Sequence, residues 1–142
     1  MNDFLATVKP TFAFLTQQAD YELLHEEVAD SFDNGMLIYQ SAALRIAVIR
    51  DRGEVRCDAR ARGDYRDIDD EILRLLVDGA RHYPRAASAA DFRAATVAGF
   101  LRERLADIEQ LFAPQALAAT HVMADQLRHE RGETLFGRKR KA

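Results

Sequence analysis

Residues 34–60 read NGMLIYQSAALRIAVIRDRGEVRCDAR, and this stretch decides the fold. Apolar residues recur at every second position within three runs, and turn-forming residues separate the runs. The signals DNG at residues 33–35, before the first run, and DRG at residues 51–53, between the second and third runs, are typical of hairpin turns, so neighbouring strands should pair antiparallel. The pattern predicts three strands, at residues 35–40, 43–50 and 54–60.

The alternation gives the predicted sheet two different faces, because successive side chains of a strand point in opposite directions. One face is apolar and collects Leu44, Ile46, Val48, Val55, Cys57 and Ala59. The other face collects Arg45, Ala47, Ile49, Arg56, Asp58 and Arg60. Such a sheet needs apolar helices against its apolar face.

The segment before residue 34 supplies a helix and a fourth strand. Residues 3–18 carry apolar residues at helical spacing, and Pro10 predicts either a kink or a helix that starts near Lys9. Residues 21–30, YELLHEEVAD, are predicted as an edge strand, because their charges discourage pairing with a further sheet. The sheet is therefore expected to be a four-stranded antiparallel meander.

The first of three predicted C-terminal helices follows a polar loop at residues 61–67. Asp67 or Asp69 can cap this helix at its N-terminus. Ile68 begins its apolar stripe, and Gly79 ends it.

Two longer helices are predicted after residue 88. One covers residues 89–112 behind a Ser88 cap, and the next begins at Pro114 and reaches about Arg131. Their short connection predicts an antiparallel hairpin. Residues 132–142 form a basic tail that we expect to be frayed.

These elements predict an α+β fold with an N-terminal helix, a four-stranded antiparallel meander and three C-terminal helices. Consecutive strands without crossover helices pair antiparallel, which separates this fold from the α/β class. A chain of 142 residues with 48% hydrophobic content suits a single domain over residues 1–142.

Composition also bounds the cellular compartment. Cys57 is the only cysteine, so we expect a reducing environment. The opening residues MNDFLATVKP lack the basic region and apolar run of a secretion signal. No window approaches the ~18 consecutive apolar residues that a membrane span needs. We expect a cytoplasmic protein that does not enter a membrane.

Charge is distributed unevenly along the chain. Residues 1–35 hold seven acids and one lysine, a balance of −6, whereas residues 36–66 hold seven arginines and four acids, a balance of +3. Sheets that bind nucleic acid normally add aromatic stacking residues, and only Tyr39 and Tyr65 are near these arginines. We therefore expect no nucleic-acid partner, and we expect the arginines to pair with Asp58 and the acidic edge strand.

Sequence patterns that carry catalysis, a cofactor or a metal are missing. No GxGxxG, GxxxxGK, GxSxG or HExxH motif occurs. The acids between residues 64 and 71 are interpreted as helix-capping groups rather than a metal site. His121, Asp125 and His129 are interpreted as a solvated helix face. Cys57 is interpreted as a small buried residue. We predict no catalytic, cofactor-binding or metal-binding residues and no cofactor.

Four segments, FAFL, SFDNG, IYQS and LRIAVIRDRGEVRCDA, follow one another between residues 12 and 59. This succession resembles a set of small uncharacterised bacterial proteins, and many toxin-neutralising immunity proteins of bacterial competition systems are similar in layout. The resemblance covers roughly residues 4–60 and assigns no functional residues. It implies a cytoplasmic protein without catalysis that binds another protein.

We therefore expect a non-enzymatic protein-interaction domain, such as an immunity-type protein, that binds a partner through a charged face. The expected partner-binding residues are Glu22, Glu26, Glu27, Asp30, Arg45, Arg56 and Arg60. One alternative is a homodimer that associates through the apolar face of the C-terminal helices. Another is a small enzyme or ligand binder that uses His25 and the neighbouring carboxylates.

Overall fold

The five strands of the computed structural model form one antiparallel sheet in the order β1-β2-β3-β4-β5. The structure describes residues 2–29, 33–84 and 89–140, without the side chains of 89–90 and 135–140. The strands are β1 (Glu22–Val28), β2 (Gly35–Gln40), β3 (Leu44–Asp51), β4 (Glu54–Ala61) and β5 (Ile68–Asp69). The three central strands and the edge strand that the sequence predicts are confirmed.

Local turn chemistry sets the register of the central hairpin. Arg52 and Gly53 form the turn with φ of 52° and 85°, and Asp51 pairs with Glu54. Two consecutive residues with positive φ give a turn whose twist matches that of the flanking strands. The hairpin then continues to the pair of Leu44 with Ala61 without a shift in register.

The prediction of four strands is wrong by one, because Ile68 and Asp69 pair with Ala59 and Asp58 of β4. We predicted Ile68 as part of a helix. A strand of two residues is too short to show an alternating pattern, so only the neighbouring strand reveals it. The predicted helix begins directly after β5, at Asp70. The Asp69 carboxylate caps it by accepting a hydrogen bond from the Ile72 backbone N–H at 3.4 Å.

The N-terminal segment is not the single helix that its spacing predicts. It consists of α1 (Phe4–Thr7), a 3-10 turn (Lys9–Phe12) and α2 (Phe14–Gln17). Pro10 lies in the first turn of the 3-10 segment, where its missing N–H costs least. The broken segment still buries the side chains expected to face the core: Phe4, Val8, Phe12, Phe14 and Leu15.

The C-terminal half contains α3 (Asp70–Val77), a 3-10 segment (Ala89–Phe92), α4 (Ala94–Leu111) and α5 (Leu117–Arg140). The predicted cap Ser88 lies outside the described residues. The predicted helix over 89–112 is divided, since its first turn is 3-10, and α4 is kinked at Arg104. The last helix starts after Pro114 and ends nine residues beyond the predicted Arg131.

The last two helices do not pack mainly on each other, contrary to the hairpin prediction. Both pack mainly on α3. They meet at their connection, where the Thr120 hydroxyl donates to the Leu111 carbonyl at 2.6 Å. The edge of Phe112 contacts the ring of His121 there.

One cluster of buried side chains joins the helices to a single face of the sheet. The sheet contributes Leu37, Tyr39, Leu44, Ile46, Val48, Val55, Cys57, Ala59, Ala61 and Ile68. We call this face the covered face. No helix among the described residues is long and apolar enough to cross a lipid bilayer.

Candidate interaction surface

The opposite face of the sheet, which we call the open face, carries Asp51 and Glu54 at the β3–β4 turn, Asp69 on β5, and twelve further side chains from β1 to β4. They are Glu22, His25 and Glu27 of β1, Met36, Ile38 and Gln40 of β2, Arg45, Ala47 and Ile49 of β3, and Arg56, Asp58 and Arg60 of β4. Within the described part of the chain, none of them belongs to the buried cluster. The open face is therefore an uncovered surface of the described structure.

Strand register arranges these side chains in three rows that cross the sheet from β1 to β4. The first row is Glu27, Met36, Ile49 and Arg56. The second row is His25, Ile38, Ala47 and Asp58, and the third row is Glu22, Gln40, Arg45 and Arg60. Each row runs from the edge strand to the arginine-rich strand.

The centre of the open face is apolar. Met36, Ile38, Ala47 and Ile49 are half-buried, because neighbouring side chains shield them although no helix covers them. The two sides differ in composition: β1 carries the exposed carboxylates of Glu22 and Glu27, whereas β4 carries the guanidinium groups of Arg56 and Arg60 with the Asp58 carboxylate between them and Glu54 at the turn. An apolar centre between charged rims is the usual anatomy of a protein interface.

A β-bulge at Leu24 places the acidic rim on this face. The register shifts between Leu23, which pairs with Tyr39, and His25, which pairs with Ile38. The extra residue turns His25 and Glu27 toward the open face and leaves Leu24 at 44% exposure. The bulge also explains why the alternation of this strand is poor in the sequence.

An arginine-lined pocket of about 240 Å³ lies at the β2–β4 end of the third row. Its lining includes Gln40, Arg45, Arg60, Arg62 and Asp64. Arg45 and Arg60 stand directly opposite each other on adjacent strands, an arrangement that destabilises a sheet unless a counter-charge is near.

The polar partners of this pocket are mostly neutral. Arg45 donates through Nε and Nη2 to the Gln40 amide oxygen at 3.2 and 3.0 Å. Arg62 donates to the Ser41 carbonyl at 2.8 Å. Arg60 lies 3.9 Å from the Asp67 carboxylate, a long contact. The pocket therefore suits a carboxylate or a phosphate oxygen.

The acid of the pocket, Asp64, is already engaged. It accepts hydrogen bonds from the Arg66 side chain at 2.7 Å and from the Tyr65 and Arg66 backbone N–H groups at 2.7 and 3.1 Å. The bond from the Arg66 side chain is the main reason that the pKa of Asp64 lies far below its ordinary range. The Asp64 carboxylate is therefore ionised, and the adjacent Arg66 guanidinium, rather than Arg45 or Arg60, offsets its charge.

Five of the seven predicted partner-binding residues meet on the open face: Glu22, Glu27, Arg45, Arg56 and Arg60. Glu26 points to the other side of β1 and forms an ion pair with Lys9 of the N-terminal segment. Asp30 lies outside the described residues. The candidate base His25 is exposed on the open face, with Nε2 3.7 Å from the Glu27 carboxylate.

The acids between residues 64 and 71 hold structure together, as the capping interpretation predicts for Asp69. Arg131 of α5 donates to Asp69 at 2.9 Å and to Glu71 at 2.8 Å. Tyr83 donates to the other oxygen of Glu71 at 2.6 Å. Within the described ranges, no group of three His, Cys, Asp or Glu side chains could hold a metal ion.

Asp70 occupies a separate, buried position beside β4. It is 3% exposed and accepts a hydrogen bond from the Cys57 backbone at 3.0 Å. Burial raises the pKa of Asp70 to about 6 against the opposing influence of that bond and of Arg74. Cys57 is fully buried as predicted, and burial raises the pKa of its thiol well above the usual value.

The interpretation of His121 as part of a solvated helix face is wrong. His121 is 3% exposed, and neither ring nitrogen has a hydrogen-bond partner in the described structure. Its Nε2 lies 3.8 Å from the Asp64 carboxylate. Burial, followed by the Arg66 guanidinium, lowers its pKa. The local sequence contains no signal for this, because the covering loop is about 57 residues away along the chain.

A second pocket, of about 400 Å³, lies between α3 and α4. Arg74 stacks there with its guanidinium carbon 5.0 Å from the centre of the Phe100 ring. Its Nε and Nη2 are buried without a hydrogen-bond partner in the described structure. Arg104 is held by Asp78 at 3.0 Å and by Asp107 at 2.8 Å. The lining of this pocket includes none of the predicted partner-binding residues.

Sequence reasoning identified the charges of the open face but not its apolar centre. The signal was present in β2, where Met36 and Ile38 alternate with Leu37 and Tyr39 and both faces of the strand are apolar. Comparisons of the chain with protein-family models, curated proteins and solved structures found no match.

Proposed function

We propose that this chain is a protein-interaction domain that binds a protein partner through the open face. The observation that carries the proposal is the group of half-buried apolar side chains at the centre of an uncovered sheet face. Met36, Ile38 and Ile49 lose contact with water only if another surface covers them. The charges around them are placed to select that surface.

The two rims favour a protein over a small molecule as the partner. Carboxylates on β1 and guanidinium groups on β4 of one face speed encounter and exclude surfaces with the wrong charge pattern. The apolar centre is shallow and is bounded by Glu27 and Arg56 in the first row. Small-molecule sites are usually concave and enclose most of their ligand.

The competing idea, a dimer through the apolar face of α4, lacks a free surface. Val97, Leu101 and Ile108 lie on that face and are 0% exposed within the single chain. Their apolar surface is already removed from water by the core. The open face is the better candidate for association, and an immunity-type role in neutralising a toxin is one function that such a face would serve.

A photo-reactive amino acid at the centre of the open face tests the proposal. We expect benzoylphenylalanine in place of Ala47 to give a defined protein adduct in native cells. The same amino acid in place of Val122, which is 70% exposed on α5, is the control and should give none. Reversal of the basic rim by Arg56→Glu with Arg60→Glu should abolish the adduct. The exposed control Arg81→Glu should preserve it. No adduct from position 47, or equal adducts from 47 and 122, would overturn the proposal.

A further inference from the structure

The open face is complementary to itself, and this points to the identity of its partner. We propose that the partner is a second copy of this chain, bound face to face across a two-fold axis that runs parallel to the strands. The inference rests on the proposed function, since it names the partner of the same surface. Isologous contacts of this kind are the commonest form of protein dimer.

The proposed two-fold axis exchanges β1 with β4 and β2 with β3 while each row keeps its position along the strands. In the first row Glu27 of one copy then faces Arg56 of the other, and Met36 faces Ile49. The same exchange of β1 with β4 and of β2 with β3 applies to the other two rows. The remaining facing pairs are His25 with Asp58, Ile38 with Ala47, Glu22 with Arg60, and Gln40 with Arg45.

Each of the six facing pairs is chemically matched. Two pairs join a carboxylate to a guanidinium, one joins an imidazole to a carboxylate, and one joins an amide to a guanidinium. The other two pairs are apolar. A rotation about an axis perpendicular to the strands would instead place the acidic rim of one copy over the acidic rim of the other, where like charges repel.

Sheet twist is compatible with this arrangement. A twisted sheet is a saddle-shaped surface, and a two-fold rotation about the strand direction places the high corners of one saddle against the low corners of the other. The separation between the sheets then stays even. Packed sheets lie about 10 Å apart with strand directions within about 30°, so the facing rows remain within side-chain reach.

The arginine-lined pocket gains its missing counter-charge in the dimer. Arg45 and Arg60 face each other across adjacent strands, and Asp64 is engaged by Arg66. The facing copy brings the Glu22 carboxylate above Arg60. The exposed Glu22 carboxylate thus acquires a partner that the described part of its own chain does not supply on this face.

The size of the surface predicts a weak dimer. Four strands about 4.8 Å apart and rows that span about five residues cover roughly 19 by 17 Å. That footprint is smaller than the footprint of a typical specific interface, which uses 20–30 residues on each side. We expect a dissociation constant in the range of about 1 to 100 μM, with weaker association at high salt because the rim charges are screened.

Charge reversal in two separate variants tests the proposed arrangement. One variant carries Glu22→Arg and Glu27→Arg, and the other carries Arg56→Glu and Arg60→Glu. Each variant alone places like charges opposite each other, so sedimentation velocity should find it monomeric where the wild type dimerises. An equimolar mixture restores opposite charges at both rims and should form a heterodimer, with affinity at least roughly tenfold above either variant alone.

Several results would overturn the second-copy proposal. One is a wild-type chain that remains monomeric at about 500 μM in low salt, well above the expected dissociation constant. Another is a dimer that persists in both variants, and a third is a mixture that stays monomeric. Arg81→Glu is the charge-reversal control and should leave dimerisation unchanged, and circular dichroism shows that each variant is folded. A monomeric wild type with a different protein crosslinked at position 47 would overturn this inference alone and keep the proposed function.

Discussion

The two faces of the sheet are built from the same strands but differ in how far their side chains are buried. Ile46 on the covered face is 0% exposed and belongs to the buried cluster, whereas Ile49, three residues along the same strand, is half-buried on the open face. The difference comes from strand geometry, which sends successive side chains to opposite sides. Residue type alone therefore does not decide burial in this sheet; the position of the helices does.

The two faces also differ in whether their charged groups are exposed or buried. The open face carries carboxylates and guanidinium groups in solvent, and its central apolar side chains are half-buried. At the margin of the covered face a single carboxylate, Asp70, is buried among apolar groups and is held by the Cys57 backbone. Substitutions on each face separate structural from interaction roles.

The largest expected effect comes from removing matched apolar side chains on the two faces. Ile46→Ala should lower the free energy of unfolding by about 3–4 kcal/mol, because it leaves a cavity in a fully packed core. Ile49→Ala should cost about 1 kcal/mol or less, because its site is half-exposed. Urea denaturation of both variants measures the difference, and equal losses would show that the open face is as tightly packed as the covered one.

A matched pair of glycines gives the next effect. A Cβ added at Gly35 would lie 2.4 Å from ring carbons of Phe4, which is fully buried against the covered face. Gly35→Ala should therefore destabilise the fold by about 2 kcal/mol. A Cβ at Gly99 meets no atom within 4 Å, so Gly99→Ala in α4 should stabilise by about 0.5–1 kcal/mol. Thermal and urea unfolding should show shifts of opposite sign; a neutral Gly35→Ala would mean that the Phe4 ring moves freely.

The smallest expected effect concerns the buried carboxylate and depends on pH. The pKa of Asp70 is raised by burial to about 6 from an ordinary value of 3.8, so the folded state holds this proton more tightly than the unfolded state. Its contribution to stability is thus fully present below about pH 4 and is lost as the pH rises through about 6. Asp70→Asn keeps an oxygen for the Cys57 N–H and should be more stable than the wild type at pH 7 by about 1–2 kcal/mol.

The pH dependence of that difference is the decisive measurement. The gain from Asp70→Asn should shrink between pH 7 and pH 4, because the wild-type carboxyl becomes protonated over this interval. Other groups titrate alike in both proteins and cancel in the difference. Glu27→Gln, which removes an exposed carboxylate of the open face, controls for the loss of one negative charge. A stability difference that does not change with pH would show that burial does not raise the pKa of Asp70.

Most of the sheet could be predicted from sequence because its information is local. Alternation within β2, β3 and β4 and the turn at Arg52 and Gly53 act over a few residues, and they fix both the strands and the register. The charges of the candidate surface followed from the same alternation. The sequence does not show that Glu26 lies on the other face from Glu27, because the bulge at Leu24 changes which face the later residues of the strand point to, and a bulge leaves no fixed sequence pattern.

Features that depend on distant contacts were not predictable in this way. Arg131 reaches Asp69 across 62 residues of sequence, and Tyr83 hydrogen-bonds Glu71 under the same part of α5. The burial of His121 likewise requires the loop around Asp64. Judged from its own segment, each of these residues could be exposed to solvent. Only the packing of α5 against the rest of the chain shows that it is not.

The sequence by itself determined that β1 to β4 form an antiparallel meander with a two-sided pattern, because period-two alternation and turn chemistry act between near neighbours. Only the tertiary structure decided which side of the sheet the helices cover and which apolar side chains stay uncovered. It also brought the acidic and basic rims onto one surface in matching rows. The physical reason is that burial is a property of packed surfaces, and those surfaces are assembled from residues far apart in the chain.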